Sequence, residues 1–246
     1  MMKKRITKLR DLFRSKGPIG ATQFILIDLN YRYHKFFEDT LFDWKYDTET
    51  SLIEKEYLDS PEIRRSEDFQ FYQAVRWGPF RRMIRSLPER SLDDFGFVDV
   101  GCGKGRALLF ASLVGFREII GVELSPRLCA MAEANIVKFR DKTNAKAAFD
   151  VVHCEAKDFM IPSGNQVIML CNPFVGETMR LFINSVADSY RKYQRTIYIL
   201  YRNPVCHDII SGNEAIHTMQ VNGMFAAYRV EATPTTKGGA DHRART

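Results

Sequence analysis

Nowhere does the 246-residue chain carry a CxxC pair, and its cysteines are few and odd in number: Cys102, Cys129, Cys154, Cys171 and Cys206. Their scatter excludes the usual thiolate zinc frameworks and argues against a disulfide scaffold, so the expected setting is a reducing cytoplasm. Histidine is scarce too. His34, His153, His207, His217 and His242 form neither an HxxxH nor an HExxH spacing, and no metal site is expected.

Long apolar runs are also missing. None approaches the roughly 18 residues of a membrane span, and the N-terminus lacks the apolar core and small-residue cleavage site of a secretory signal. The chain therefore reads as a soluble protein with no membrane span. No Ser/His/Asp or Cys/His nucleophile motif is recognisable, and there is no internal repeat. Acids are almost absent from the start. Before Gly17 seven bases, from Lys3 to Lys16, face Asp11 alone, an excess equal to the whole chain's net charge of +6. That basic head reads as a solvated helix, with an anionic partner, nucleic acid or membrane surface, as the alternative.

What is present is enough for one substantial core: 45% of residues are hydrophobic and 27% charged. Residues 1–90 read as a basic N-terminal helix and a helical cap. In the cap, Phe24 to Phe42 is apolar and aromatic, and "FDWKYDTETS" reads as a loop. Asp68 to Leu87 reads as helical, with Gly78 stopping one helix and Pro79 opening the next. Tyr72 and Trp77 are more simply core aromatics than walls of a pocket. The polar tail, 233–246, is expected to be disordered.

Over 91–232 the rhythm changes to strand, turn, helix, repeated. Phe97 to Val100 is followed by an apolar helix from Lys104 to Val114, and "REIIGVEL" supplies a strand ending near Glu123. Ser125 then reads as an N-cap with Pro126 in the first helical position, and Leu128, Ala132, Ile136 and Phe139 mark a buried stripe. "FDVVHCEA" and "NQVIMLCNPF" give two more strands, Thr178 to Tyr190 a helix and "RTIYILYRNP" a fifth strand. Two β-rich runs joined at Asn222-Gly223 form a hairpin. The implied architecture is α/β: a Rossmann-like seven-stranded sheet of five parallel strands closed by an antiparallel C-terminal hairpin, under the cap.

The turn "DVGCGKG" lies at the end of the first strand, the usual ligand position in an open α/β sheet. Gly101, Gly103 and Gly105 allow a tight turn and a close approach to a ligand. A dinucleotide fingerprint would need glycine where Arg106 stands, and the spacing of a P-loop is absent. Asp99, two residues before the first glycine, would repel a pyrophosphate but could pair with an ammonium group. Lys104 and Arg106 oppose the helix dipole unless an anion lies near. A ligand carrying both an ammonium and a carboxylate satisfies both observations.

"DVGCGKG" resembles the DxGxGxG motif of class I S-adenosylmethionine-dependent methyltransferases, and "GVELS", "CEAKDF" and "CNPF" resemble their motifs after the second, third and fourth strands. The resemblance implies S-adenosyl-L-methionine as cofactor, held by Asp99, Gly101, Cys102, Gly103, Gly105, Glu123, Glu155, Ala156 and Asn172. Glu123 would accept from the ribose hydroxyls; Glu155, where the family typically has Asp, would accept from the adenine amino group beside Ala156. Asn172, Pro173 and Phe174 look like a shortened (N/D)PP(F/Y) motif, which implies catalytic positioning of an amine nitrogen. The second proline of that motif is missing. More narrowly, "FVDVGCGKGRALLFAS", "GVELS" and "NPF" look like a group of poorly characterised bacterial methyltransferases whose cap carries an FDxxxxxxT-like segment, as "FDWKYDTETS" does. The core also distantly resembles histone-lysine methyltransferases that lack a SET domain, an analogy of fold that does not name a substrate.

The implied activity is methyl transfer to an unidentified acceptor, whose pocket the cap and the loops after the fourth and fifth strands, including the Asn203-Pro204 turn, would shape. The competing readings are an NAD(P)-dependent oxidoreductase of similar topology, disfavoured by Arg106, Asp99 and the hairpin, and a catalytically silent relative that binds cofactor or a partner. The sequence is silent on oligomeric state.

Overall fold

The computed structural model describes residues 40–51, 74–171 and 173–231, with isolated positions before 40. The basic head, most of the stretch from Phe24 to Phe42, Tyr72, Asn172 and the tail lie outside the described residues.

Seven strands form one sheet in the order β3-β2-β1-β4-β5-β7-β6. They are β1 (Phe95–Val100), β2 (Glu118–Glu123), β3 (Ala148–His153), β4 (Asn165–Cys171), β5 (Ile197–Arg202), β6 (Ile216–Val221) and β7 (Phe225–Val230). The first five are parallel, and β7 runs antiparallel to both β5 and β6. This is the Rossmann-like seven-stranded sheet of five parallel strands closed by an antiparallel C-terminal hairpin. Every residue of β1 is buried, whereas the edge strand β3 has no buried residue, so the continuous apolar runs fall where helices cover both faces. The Asn222 side chain accepts the amide N–H groups of Met224 and Phe225 and closes the hairpin turn.

The helices are α1 (Leu41–Tyr46), α2 (Trp77–Ile84), α3 (Arg106–Val114), α4 (Pro126–Thr143), α5 (Gly176–Tyr193) and α6 (His207–Ser211). Ser125 caps α4 by accepting the Leu128 amide at 3.4 Å with Pro126 in the first turn, and Leu128, Ala132, Ile136 and Phe139 are buried on one stripe. Alternation along β1 divides the core. Phe97 joins Phe80, Met83, Leu108, Phe110 and Phe139 on one face, while Val98 and Val100 join Ile168, Phe182 and Ile199 on the other.

Two expectations about the cap need correction. "FDWKYDTETS" is not a plain loop: its first half, Phe42 to Tyr46, is all of α1 but Leu41, and its second half folds back over that helix. Gly78 and Pro79 do not separate two helices among the described residues, because α2 begins at Trp77 and runs through both. Pro79 is tolerated there because amides in the first helical turn have no intrahelical partner. Trp77 lies against the core, stacked on Phe80 at 6.2 Å and edge-on to Phe110 at 5.0 Å.

Among the described residues no helix is long and apolar enough to cross a membrane, and no group of His, Cys, Asp and Glu could hold a metal ion.

Candidate functional site

The turn after β1 is built on three glycines in the left-handed region, Gly101 (φ 78°), Gly103 (φ 55°) and Gly105 (φ 83°). An L side chain is strained at such angles, and space is short as well: a Cβ on Gly101 would stand 2.9 Å from the Pro173 Cβ. The amides of Gly101 and Cys102 donate to the Val122 carbonyl at 2.8 and 3.0 Å, which hooks the turn onto β2. Cys102 contributes through its backbone. Its thiol points toward Gly121 and is pushed well above the ordinary range by burial and by the charges of Glu123 and Asp99.

Two carboxylates flank this turn. Glu123 is 7% exposed; its Oε2 accepts the Gly103 amide at 2.9 Å and its Oε1 the Ser125 amide at 3.0 Å. One side chain thus ties the glycine turn to the start of α4. A carboxylate has about four acceptor positions, so two backbone bonds leave room for a pair of hydroxyls. Burial pushes the Glu123 carboxyl above its usual range despite the amide bonds that oppose the shift.

Asp99 is different. It is 3% exposed, and its Oδ1 has no hydrogen-bond partner. Burial first, and then the charge of Glu123, raises its carboxyl from 3.8 to about 7. An unpartnered buried carboxylate costs free energy, and a cation placed against it would relieve that cost.

Glu155 follows β3 and precedes a single 3-10 turn, Ala156–Asp158. The adjoining Cys154 amide donates to the Glu123 carbonyl at 3.2 Å, so the two acids stand on neighbouring strand ends. The Glu155 side chain is 52% exposed and paired with Lys157 at 2.7 Å. Beyond β4, Pro173 lies against Gly101, and Phe174 is buried, edge-on to Phe182 at 5.8 Å. Asn172 is outside the described residues. Asp99, the glycine turn, Glu123 and Pro173 therefore form one cluster along the carboxyl edge of the sheet, with Glu155 and Ala156 at its rim.

The expectation that Arg106 signals a ligand's anion is overturned. Its anion is Asp43, at 3.4 Å, on a guanidinium only 1% exposed. Arg106 Nε also donates to the Thr50 hydroxyl at 2.6 Å, and the Phe42 ring lies 5.3 Å from the guanidinium carbon. Asp43 itself gathers donors from the chain that folds back over α1. It accepts the Thr48 hydroxyl at 2.8 Å, the Thr50 amide at 3.0 Å and the Thr50 hydroxyl at 2.7 Å, and also both the amide and hydroxyl of Ser51. Burial alone would raise the Asp43 carboxyl, but the bonds from Ser51 and Thr50 and the Arg106 charge outweigh it and hold it below its usual value.

Asn135 completes this collar. Its side chain accepts the Glu49 amide at 2.8 Å and donates to the Lys104 carbonyl at 2.9 Å. Sequence reasoning missed Asn135, although a lone amide on the buried stripe of α4, between Ala132 and Phe139, was a readable signal. The Asp43 and Thr50 partnership with Arg106 spans 63 and 56 residues and left no local signal.

No family model and no curated relative matches the chain in sequence. In fold it is similar to several solved structures. Human methyltransferase 10 domain containing protein is 12% identical with a TM-score of 0.47, over 81% of this chain and 97% of that one. Precorrin-6y C5,15-methyltransferase from Geobacter metallireducens is 14% identical with a TM-score of 0.46, over 68% and 96%. Ribosomal protein L11 methylase from Lactobacillus delbrueckii is 13% identical with a TM-score of 0.45, over 63% and 79%. Likenesses this distant name no chemistry, which has to come from the site.

Proposed function

We propose that the chain is an S-adenosylmethionine-dependent methyltransferase. The observation that carries the reading is Asp99: a buried carboxylate with an unpartnered oxygen, at the mouth of a glycine turn, with a second buried acid on the adjacent strand end. The residues fit a ligand with an ammonium group at one end and a ribose further along. Asp99 would take the ammonium, directly or through water, the backbone of Gly101, Cys102, Gly103 and Gly105 would lie against the ligand, and the free acceptor positions of Glu123 would take the ribose hydroxyls. Glu155 would turn from Lys157 to the adenine amino group, while the backbone at Ala156 meets the ring edge.

A sulfonium donor held there would supply a methyl group already activated for in-line transfer to an acceptor's lone pair, with the sulfur as leaving group. The protein needs no nucleophile of its own. Its part is to hold the acceptor in line, and positioning of this kind can lower a barrier by about 7–11 kcal/mol. The Asn172 side chain and the Pro173 carbonyl would accept hydrogen bonds from the acceptor group, with Phe174 beside it; an amine nitrogen is the acceptor that this geometry suits. Because Arg106 is neutralised by Asp43, the collar serves the site by fixing the start of α3 and hence the glycine turn.

Calorimetric titration with S-adenosylhomocysteine tests the reading. Saturable heat is expected in the micromolar range and should vanish in Asp99→Ala/Glu123→Ala. No saturable heat at millimolar ligand, with NADH bound instead, would replace the methyltransferase with an oxidoreductase.

A further inference from the structure

A cavity of about 270 Å³ opens at the carboxyl end of β5, on the face of the sheet that α2 covers. Met83, Met224 and Phe225 give it apolar walls, and Arg82, Arg202 and Asn203 supply its polar groups. Arg202 and Asp99 point to the same face, since each follows by two residues a side chain of one shared core layer, Leu200 and Phe97. Only β4 separates their strands, so the cavity lies on the order of 10 Å from Asp99 across the sheet. Cys171 lies between them, and its thiol feels the charges of both Arg202 and Asp99.

The two arginines have unusual partners. Arg82 Nη1 meets the Met224 sulfur at 3.2 Å, and Arg202 Nη1 meets the Cys171 sulfur at 3.6 Å. Sulfur is a weak acceptor, whereas a guanidinium carries five N–H donors shaped for oxyanions. Among the described residues neither arginine has a carboxylate within ion-pair distance. Asn203 adds an amide to the rim, held at φ 52° by its backbone N–H on the Met224 carbonyl at 2.9 Å. Paired guanidiniums over an apolar floor favour one small acidic molecule, because an extended polymer is met by an open basic track.

We infer that Arg82 and Arg202 recognise the carboxylate or phosphate group of a small acidic methyl acceptor, an inference that rests on the methyl-transfer reading above. The cavity seats the acidic end of the acceptor while its nucleophile reaches back across β4 toward Pro173. Its size, near the lower bound of small-molecule sites, fits a compact acid or the acidic end of a larger one.

The test titrates inorganic phosphate, and separately succinate, into protein saturated with S-adenosylhomocysteine, for the wild type, Arg82→Gln, Arg202→Gln and the double variant. Saturable binding of at least one anion is expected, weakened about tenfold in each single variant and lost in the double. S-adenosylhomocysteine affinity should stay unchanged throughout. Arg82 is exposed, so Arg82→Gln remains informative if Arg202→Gln fails to fold. Tighter phosphate identifies a phosphorylated acceptor, and tighter succinate a carboxylic acid. No saturable anion binding, or binding that the double variant retains, overturns the inference. A single-stranded oligonucleotide that displaces phosphate and binds far more tightly overturns the small-molecule occupant. Anion binding that depends on both arginines in a protein that takes up no S-adenosylhomocysteine overturns the methyl-transfer reading, and the acceptor role with it.

Discussion

Replacing Asp99 with asparagine should stabilise the ligand-free protein and weaken its cofactor binding. The carboxyl is raised from 3.8 to about 7, so the folded protein binds a proton that the unfolded chain has released between those values. Stability therefore falls as pH rises from about 4 to 7 and is level above, the reverse of an ion-paired acid. Three pH units at about 1.4 kcal/mol each set an upper bound of about 4 kcal/mol at pH 8. Asp99→Asn removes that cost, and the gain should shrink to about 1.5 kcal/mol at pH 5, where the native carboxyl is already protonated. Urea unfolding of both proteins at the two pH values measures the difference. Calorimetry on the same samples should show S-adenosylhomocysteine affinity falling about 10–100-fold in the variant, as when a charge-assisted contact is lost. In the wild type that affinity should climb with pH and level off above about 7. A gain that does not change with pH, or a variant less stable at pH 8, would refute the account of Asp99 as a buried charge awaiting a cation.

The collar predicts that Asp43→Ala destabilises the fold by about 3–5 kcal/mol, because the buried Arg106 guanidinium loses the Asp43 carboxylate. Asp43→Ala/Arg106→Met should recover part of that loss in the same denaturation assay. Since Asp43 is held below its usual value, its contribution is present above pH 3.8 and lost as pH falls through the lowered folded value, so the collar should be an acid-labile element. Gly101→Ala should cost about 1–3 kcal/mol of strain and abolish cofactor uptake, whereas Gly223→Ala, with nothing within 4 Å of the added Cβ, should leave both unchanged. Glu123→Gln should weaken S-adenosylhomocysteine by about 10–100-fold in calorimetry, as the Gly103 amide loses a charged acceptor.

The sheet was readable because its signals are local. Apolar runs, the Ser125-Pro126 helix start and the Asn222-Gly223 turn each lie within a few residues, and each appears in the structure where the pattern places it. The glycine turn was readable for the same reason, since alternating left-handed residues announce themselves as glycines. Arg106 shows the limit of such reasoning. A cation in a first helical turn does require an anion, but whether a ligand or the chain supplies it depends on a residue 63 positions away. The cap misled for a related reason: "FDWKYDTETS" is polar and turn-rich, and its order comes from one carboxylate that collects hydroxyls and amides folded around it.

By itself, then, the sequence determined the order of strands and helices, the glycine turn and the acids at two strand ends, because these follow from short-range backbone preference and hydrophobic periodicity. Only the tertiary structure decided which charges neutralise one another. It set Asp43 against Arg106, left Asp99 alone, and left Arg82 and Arg202 facing a shared cavity. Burial and distance govern the energy of a charge, and both are properties of the folded chain.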